Sequence, residues 1–298
     1  MNFVIGESNM KVTYKAAAKI NLMLDIISRL DNGYHSLFMI MQSVGLYDTV
    51  TAERSGTDIE ITCDNQAIPC NESNTAFKAA KLFFDYTGEK DTAVKIHIQK
   101  NIPFAAGLAG GSADAAAVLH ALNDLYNANL TLRELESIGV KVGADVPFCL
   151  NGGTKLAQNI GEVLSPLPEV KGYCFVLVKP EQGVSTAEAY AQFDKAPVRH
   201  LDTSGMLYSA ANGDFEAVFS KVGNVFEQLV EVPQRVPIKT VMYAHGAKCA
   251  CMSGSGPTVF GVFETREAAQ AAADELKKDF NQVFVCEPVN QSVIKVVE

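Results

Sequence analysis

From Ile102 to Ala117 the chain reads Ile-Pro-Phe-Ala-Ala-Gly-Leu-Ala-Gly-Gly-Ser-Ala-Asp-Ala-Ala-Ala, a run of small residues placed between a strand pattern and a helix pattern. Side chains this small let a phosphate approach the backbone. The first N–H groups of a helix are unpaired and its macrodipole adds positive potential there, so residues 107–112 could form an anion site. Ser112 could add a hydroxyl to a phosphate oxygen or to a metal. The segment is not a Walker loop, because no lysine follows the glycines, and Gly107-Leu-Ala-Gly-Gly does not fit the dinucleotide fingerprint. A tight strand-to-helix connection is the plain alternative.

Four more segments carry side chains able to do chemistry. In Gly143-Ala-Asp145-Val-Pro147-Phe a lone carboxylate follows a helix and precedes what the proline suggests is a stiffened strand. Such an Asp can accept a hydroxyl proton or orient the hydroxyl for in-line attack; equally, it can cap a turn through its own backbone. In Ala16-Ala-Ala-Lys19-Ile-Asn21-Leu a cation enters an apolar strand two residues before an amide. A partly buried Lys19 seeks a partner, and Asp145 would serve, the pair holding an acceptor hydroxyl while placing positive charge beside a γ-phosphate. The alternative is a lysine snorkelling from a strand edge. Asp31-Asn-Gly-Tyr34-His35 is a turn followed by an aromatic face and an imidazole, which suit a nucleobase and its edge, or else a core Tyr beside a solvated His. Met252-Ser253-Gly254-Ser255-Gly256-Pro257-Thr258 is a second glycine-rich turn, compatible with phosphate contact or with turn chemistry alone.

The elements that must hold these groups follow from periodicity. Strands are expected over residues 20–27, 49–54 and 57–63, and a helix over 74–86 capped by Asn74 or Thr75. Val94, Ile96 and Ile98 alternate with polar residues in a half-buried strand leading into the glycine-rich loop. The helix after it carries Ala115, Val118, Leu119, Leu122, Leu125 and Tyr126 on one stripe and ends at residues 127–129. Another helix is expected over 132–142. Pro166-Leu-Pro168 reads as a linker, followed by strands over 173–178, 258–263 and 282–287 and helices over 186–192, 215–229 and 266–280, an α+β pattern.

Composition narrows the function classes. In 298 residues, 48% hydrophobic and 20% charged, disorder and low complexity are disfavoured, and the net charge of −9 argues against duplex nucleic acid as partner. The seven cysteines are odd in number and form no C-x-x-C pair, so they read as reduced core thiols, with Cys249-x-Cys251 on a strand. The first fifteen residues lack a secretion signal and no run of 18 apolar residues occurs, from which no membrane partner and a cytoplasmic location are expected. Met10 is a candidate start, with residues 1–9 a dispensable extension.

Together and in this order, the segments resemble the GHMP superfamily of small-molecule kinases, over roughly residues 15–263. The glycine-rich loops are shared across that superfamily, whereas Gly33-Tyr34-His35 and Gly143-Ala-Asp145-Val-Pro147 are the specific motifs. The resemblance implies a two-domain α+β fold: a ribosomal-S5-domain-2-like nucleotide-binding domain over 1–165, a ferredoxin-like α/β sandwich over 166–298, and the active site between them. It implies ATP as donor, Mg²⁺, and transfer of the γ-phosphoryl group to the 2-hydroxyl of 4-diphosphocytidyl-2-C-methyl-D-erythritol on the non-mevalonate route to isoprenoid precursors, by a monomer or homodimer. Asp145 would be base or orienting group and Lys19 its charge partner. Pro103, Ala106, Gly107, Leu108, Ala109, Gly110, Gly111, Ser112 and Ala113 would bind ATP, with Ser112 also a ligand of Mg²⁺. Asn21, Tyr34, His35, Thr186 and Tyr190 would bind the cytidyl substrate, Tyr190 as a stacking partner, and Ser253, Gly254, Ser255 and Gly256 would support the phosphate region. Ala105, Ala106, Ala109 and Ala113 stand where many relatives carry glycine or serine, and Ala16-Ala-Ala replaces a proline expected ahead of Lys19. The alternatives are a kinase of the same superfamily acting on homoserine or mevalonate, and a non-catalytic nucleotide-binding protein of the same fold.

Overall fold

A computed structural model describes residues 11–297; the candidate start Met10 and residues 1–9 lie outside them. The N-terminal half is built on a long hairpin, β1 (Lys11–Arg29) and β2 (His35–Glu53), far longer than the strand periodicity predicts. Its central residues are buried on both faces, so the polar/apolar alternation that marks a half-buried strand is missing there. Asn32-Gly33 closes the hairpin, with Gly33 at φ +84 and its N–H donating to the Leu30 carbonyl at 3.0 Å.

β3 (Ile59–Cys63), α1 (Thr75–Thr87, capped by Asn74), β4 (Val94–Gln99), α2 (Gly110–Leu125) and α3 (Leu132–Val142, with a Thr131/Glu134 capping box) follow close to their expected bounds. The next element differs. Residues 146–151 form a short helix, α4 (Val146–Asn151), instead of a strand, because Pro147 sits in the first turn, where a missing N–H costs nothing. β5 (Thr154–Asn159) and β6 (Val163–Pro166) then extend the sheet. Sheet order is β3-β4-β2-β1, with the two ends of β2 taking different partners: residues 49–53 pair with β4 and residues 37–42 with β5.

The second unit comprises β7 (Cys174–Val178), α5 (Thr186–Phe193), α6 (Thr203–Ala211), α7 (Phe215–Ser220), β8 (Gly223–Asn224), a 3₁₀ turn at Val225–Gln228, α8 (Arg235–Ala244), β9 (Cys249–Met252), β10 (Val259–Phe263), α9 (Arg266–Leu276), β11 (Val283–Cys286) and β12 (Val293–Lys295). The single helix expected over 215–229 is interrupted. Asn224 donates through Nδ2 to the carbonyls of Met252 and Gly254 and accepts from the Phe226 amide, drawing residues 223–224 into a parallel pairing with β1. A four-stranded antiparallel sheet, β11-β7-β10-β9, holds Cys249 and Cys251 on a buried strand as expected and packs against α8 and α9. β12 returns to pair with β1 in the first sheet, so both ends of the described chain meet there. No helix among the described residues is long and apolar enough to cross a membrane.

Candidate active site

The glycine-rich loop arrives at α2 through three residues in the left-handed region, Ala105, Gly107 and Ala109, at φ of 49, 76 and 57. Ala109 is the helix N-cap and supplies no side-chain hydrogen bond, and the first turn holds no acidic residue. The N–H groups of Gly110, Gly111 and Ser112 are therefore left for a ligand, at the positive end of a 16-residue helix. Gly107 is fixed by close approach: a Cβ there would lie 2.2 Å from the Ser253 carbonyl oxygen. Ser253 Oγ donates to the Gly107 carbonyl at 2.9 Å, and Ser255 Oγ and Thr186 Oγ1 share a hydrogen bond of 2.8 Å. The second glycine-rich turn thus buttresses the first.

A bulge in β1 between Asn21 and Met23 brings Lys19 and Asn21 to the floor of the cleft. The Lys19 ammonium, almost wholly buried, donates to Asn21 Oδ1 at 2.8 Å and to the Gly107 carbonyl at 3.3 Å, and lies 3.7 Å from Asp145 Oδ2. Asn21 accepts in addition from the Gly254 amide at 3.0 Å. Its Oδ1 is therefore committed to holding the lysine and the second turn. Asp145 precedes α4 and makes no capping hydrogen bond with its side chain, so its carboxylate is not spent on the local turn. Burial and then the Asp145 charge push the Cys149 thiol and the Tyr190 phenol up, keeping both protonated beside it.

These groups border one cleft of about 960 Å³, at the upper end of the range for small-molecule sites (~300–1,000 Å³). Lys19, Tyr34, His35, Pro103, Ala106, Gly107, Ala109, Gly110, Gly111, Ser112, Asp145, Thr186, Tyr190, Gly254 and Ser255 all line it. Leu108 and Ala113 are buried behind the loop and Asn21 beneath it. Ser253 and Gly256 are also behind the wall. At the far end, Tyr34 is exposed, whereas Tyr190 stacks on His35 with ring centroids 4.9 Å apart, so one face of Tyr190 is already covered.

One cluster escapes sequence reasoning. Lys100, at the end of β4, pairs with Asp48 of β2 and, at 2.7 Å, with Asp114 Oδ2 of α2, all three buried. Asp48 Oδ1 also accepts from the amides of Asn101 at 2.6 Å and Ile102 at 2.8 Å, which anchors the start of the glycine-rich loop. One ammonium cannot neutralise two carboxylates. Asp48 Oδ1 has two backbone donors, whereas Asp114 Oδ1 is buried without a partner, which favours a proton on Asp114. Burial, reinforced by Asp48 and opposed by Lys100, raises that carboxyl to about 8. The available signal was an Asp on the otherwise apolar stripe of α2, four residues before Val118. Thr75, whose Oγ1 donates to the Gly111 carbonyl at 2.7 Å, and residues 68–69 also line the cleft without having been marked by any motif.

The GHMP kinases N terminal domain family matches residues 74–153, and the GHMP kinases C terminal family matches residues 208–282. A 4-diphosphocytidyl-2-C-methyl-D-erythritol kinase from Clostridium acetobutylicum is 44% identical over 278 residues, covering 92% of this chain and 99% of the relative. The chain belongs to the GHMP kinases, in that family. A crystal structure of 4-(cytidine 5'-diphospho)-2C-methyl-D-erythritol kinase superposes with a TM-score of 0.74 at 30% identity, over 92% of this chain and 98% of the other. Homoserine kinase from Cytophaga hutchinsonii superposes with a TM-score of 0.80 over 99% of this chain and 100% of its own, but at 19% identity, a likeness of fold alone. As a member of the family the protein is an ATP-dependent phosphotransferase.

Proposed function

We propose that the cleft transfers the γ-phosphoryl group of ATP to the 2-hydroxyl of 4-diphosphocytidyl-2-C-methyl-D-erythritol, releasing ADP and the 2-phosphate. The observation that carries this reading is the position of the Lys19–Asp145 pair, 3.7 Å apart, in the same cleft as the uncapped start of α2 and the His35–Tyr190 stack. Phosphoryl transfer asks the protein mainly to position and neutralise. The amides of residues 110–112 hold the polyphosphate, the unspent Asp145 carboxylate receives or orients the acceptor hydroxyl, and the Lys19 ammonium balances charge on the transferred group. Tyr34 and His35 hold the cytosine, and Thr186 faces the substrate from the second unit.

Mg²⁺ fits this arrangement as a nucleotide-borne ion. Among the described residues no cluster of three His, Cys, Asp or Glu side chains is shaped to hold a metal, and Mg²⁺ commonly binds through phosphates, water and one or two protein oxygens. Ser112, half-exposed at the start of α2, is the protein ligand we assign. When bound, the ion neutralises charge on the phosphate oxygens. The reading also carries a cytoplasmic location, where ATP is available.

An ADP-production assay offering the cytidyl alcohol, homoserine and mevalonate to the purified chain tests it. Turnover of the cytidyl alcohol alone is expected. Preferential turnover of homoserine or mevalonate would move the protein to a sister activity, and ADP release with none of them would leave a nucleotide-binding protein.

A further inference from the structure

Residues 223–228, where sequence periodicity points to continuous helix, fold instead into β8 and the 3₁₀ turn and grip the second glycine-rich turn. The buried Asn224 side chain donates through Nδ2 to the Met252 carbonyl at 2.8 Å and to the Gly254 carbonyl at 2.7 Å, and its Oδ1 accepts from the Phe226 amide at 2.9 Å. Both donor hydrogens and the acceptor are thus used. Glu227 Oε1 accepts from the Met252 amide at 2.7 Å, and its Oε2 accepts from Lys239 Nζ at 2.7 Å. The two carbonyls that Asn224 holds belong to the peptides on either side of the Ser253–Gly254 peptide. Pinning its neighbours fixes the orientation of that middle peptide, which a glycine at φ +58 would otherwise leave free to turn. Its N–H, from Gly254, donates to Asn21 Oδ1 at 3.0 Å, and the same oxygen accepts from Lys19 Nζ at 2.8 Å.

We propose that Asn224 is a positioning residue that holds the Lys19 ammonium in place, acting through the Gly254 amide and Asn21; this rests on the role given to Lys19 in the function proposed above. An amide side chain can sit in two orientations that exchange its oxygen and its nitrogen. With the Gly254 N–H in place, Asn21 must turn its oxygen toward that donor, and the same oxygen then meets Lys19. Its nitrogen faces the Met39 sulfur at 3.3 Å, a weak acceptor that cannot enforce the orientation alone. If the Ser253–Gly254 peptide swings away, nothing strong opposes the reversed amide, which aims N–H groups at an ammonium. Lys19, whose other hydrogen bond is the longer one of 3.3 Å to the Gly107 carbonyl, is then displaced. Lys19 acts on charge that develops during transfer, so its displacement shows in kcat and not in KM.

The test measures kcat and both KM values with ATP and the cytidyl alcohol. The protein is the full chain as wild type, Asn224→Ala, Asn224→Ser, Lys19→Ala and Lys19→Ala combined with each Asn224 change, with thermal midpoints to show that each is folded. Asn224→Ala is expected to lower kcat roughly 10- to 100-fold with both KM values within about 3-fold, and Asn224→Ser, which keeps one hydroxyl donor, to fall between it and wild type. Where Asn224→Ala does not fold, Asn224→Ser carries the comparison. In the Lys19→Ala background either change should lower kcat by less than about 2-fold, because the group being positioned is gone. An unchanged kcat, or the same fold loss in both backgrounds, overturns the proposal and leaves Asn224 a packing residue. So does a loss confined to KM for ATP, which would place its effect on the glycine-rich loop through Ser253, and so does failure of both Asn224 variants to fold. In each of those cases the kinase reading stands. A wild type inert toward the cytidyl alcohol, or Lys19→Ala with full turnover, removes the earlier reading and this one together.

Discussion

Lys19 Nζ lies 3.7 Å from Asp145 Oδ2 but only 2.8 Å from Asn21 Oδ1. The lysine is thus held in place by neutral oxygens of its own strand and of the glycine-rich loop, and its pairing with Asp145 is loose, which in the function proposed above leaves that carboxylate free for an incoming hydroxyl. Asp145→Asn keeps the shape and loses the charge. Turnover is expected to fall by roughly 10²- to 10⁴-fold with dissociation constants for ATP and the alcohol within a few-fold, measured by single-turnover quench and equilibrium binding. Near-normal turnover would remove Asp145 from the chemistry.

Two glycines with positive φ separate backbone strain from close approach. At Gly33, φ is +84 and an added Cβ meets nothing within 4 Å, so Gly33→Ala should cost only the left-handed penalty, ~1–2 kcal/mol. At Gly107, φ is +76 and the Cβ would meet the Ser253 carbonyl at 2.2 Å, which requires one glycine-rich turn to leave the other. Gly107→Ala should lower the thermal midpoint clearly more than Gly33→Ala and weaken ATP binding as well. Equal midpoints for the two variants would mean that the contact between the turns yields easily.

The buried Asp114 makes stability depend on pH. Its carboxyl is raised from 3.8 to about 8 on folding, so the native protein holds a proton over that interval that the unfolded chain has released. The stability this contributes is fully present below about pH 4 and is lost as pH rises towards about 8. Asp114→Asn carries no such proton. Wild type should therefore lose stability relative to Asp114→Asn between about pH 5 and about pH 8 and run parallel to it above, read from urea midpoints. Curves that stay parallel throughout would show that Asp114 is ionised in the native state.

Ser112 is the one protein oxygen assigned to the metal. Ser112→Ala should raise the Mg²⁺ concentration for half-maximal rate by several-fold while leaving protein stability nearly unchanged, since the side chain is half-exposed and makes no hydrogen bond that holds the fold. Chelation of divalent ions should abolish turnover of wild type and variant alike. An unaltered Mg²⁺ dependence in Ser112→Ala would place the ion on phosphates and water alone.

The run of small residues, the Asp ahead of Pro147 and the Lys entering an apolar strand were enough to single out residues that the fold gathers along one cleft, because a helix start that leaves its backbone bare is written locally. Helices with caps and half-buried strands were legible for the same reason: Asn74, Thr131 and the alternation of residues 94–98 are short-range signals. Length and partners of the central hairpin were not, since strands covered on both faces lose their period. Only the folded chain decided that Lys100 meets Asp48 and Asp114, that Asn21 serves Lys19, and that Tyr190 and Asp194 close on His35 from 155 and 159 positions further along the sequence. Each of those pairings depends on which strands and helices come to lie side by side, and a charge or ring at one position says nothing about its partner until tertiary packing brings the two within bonding distance.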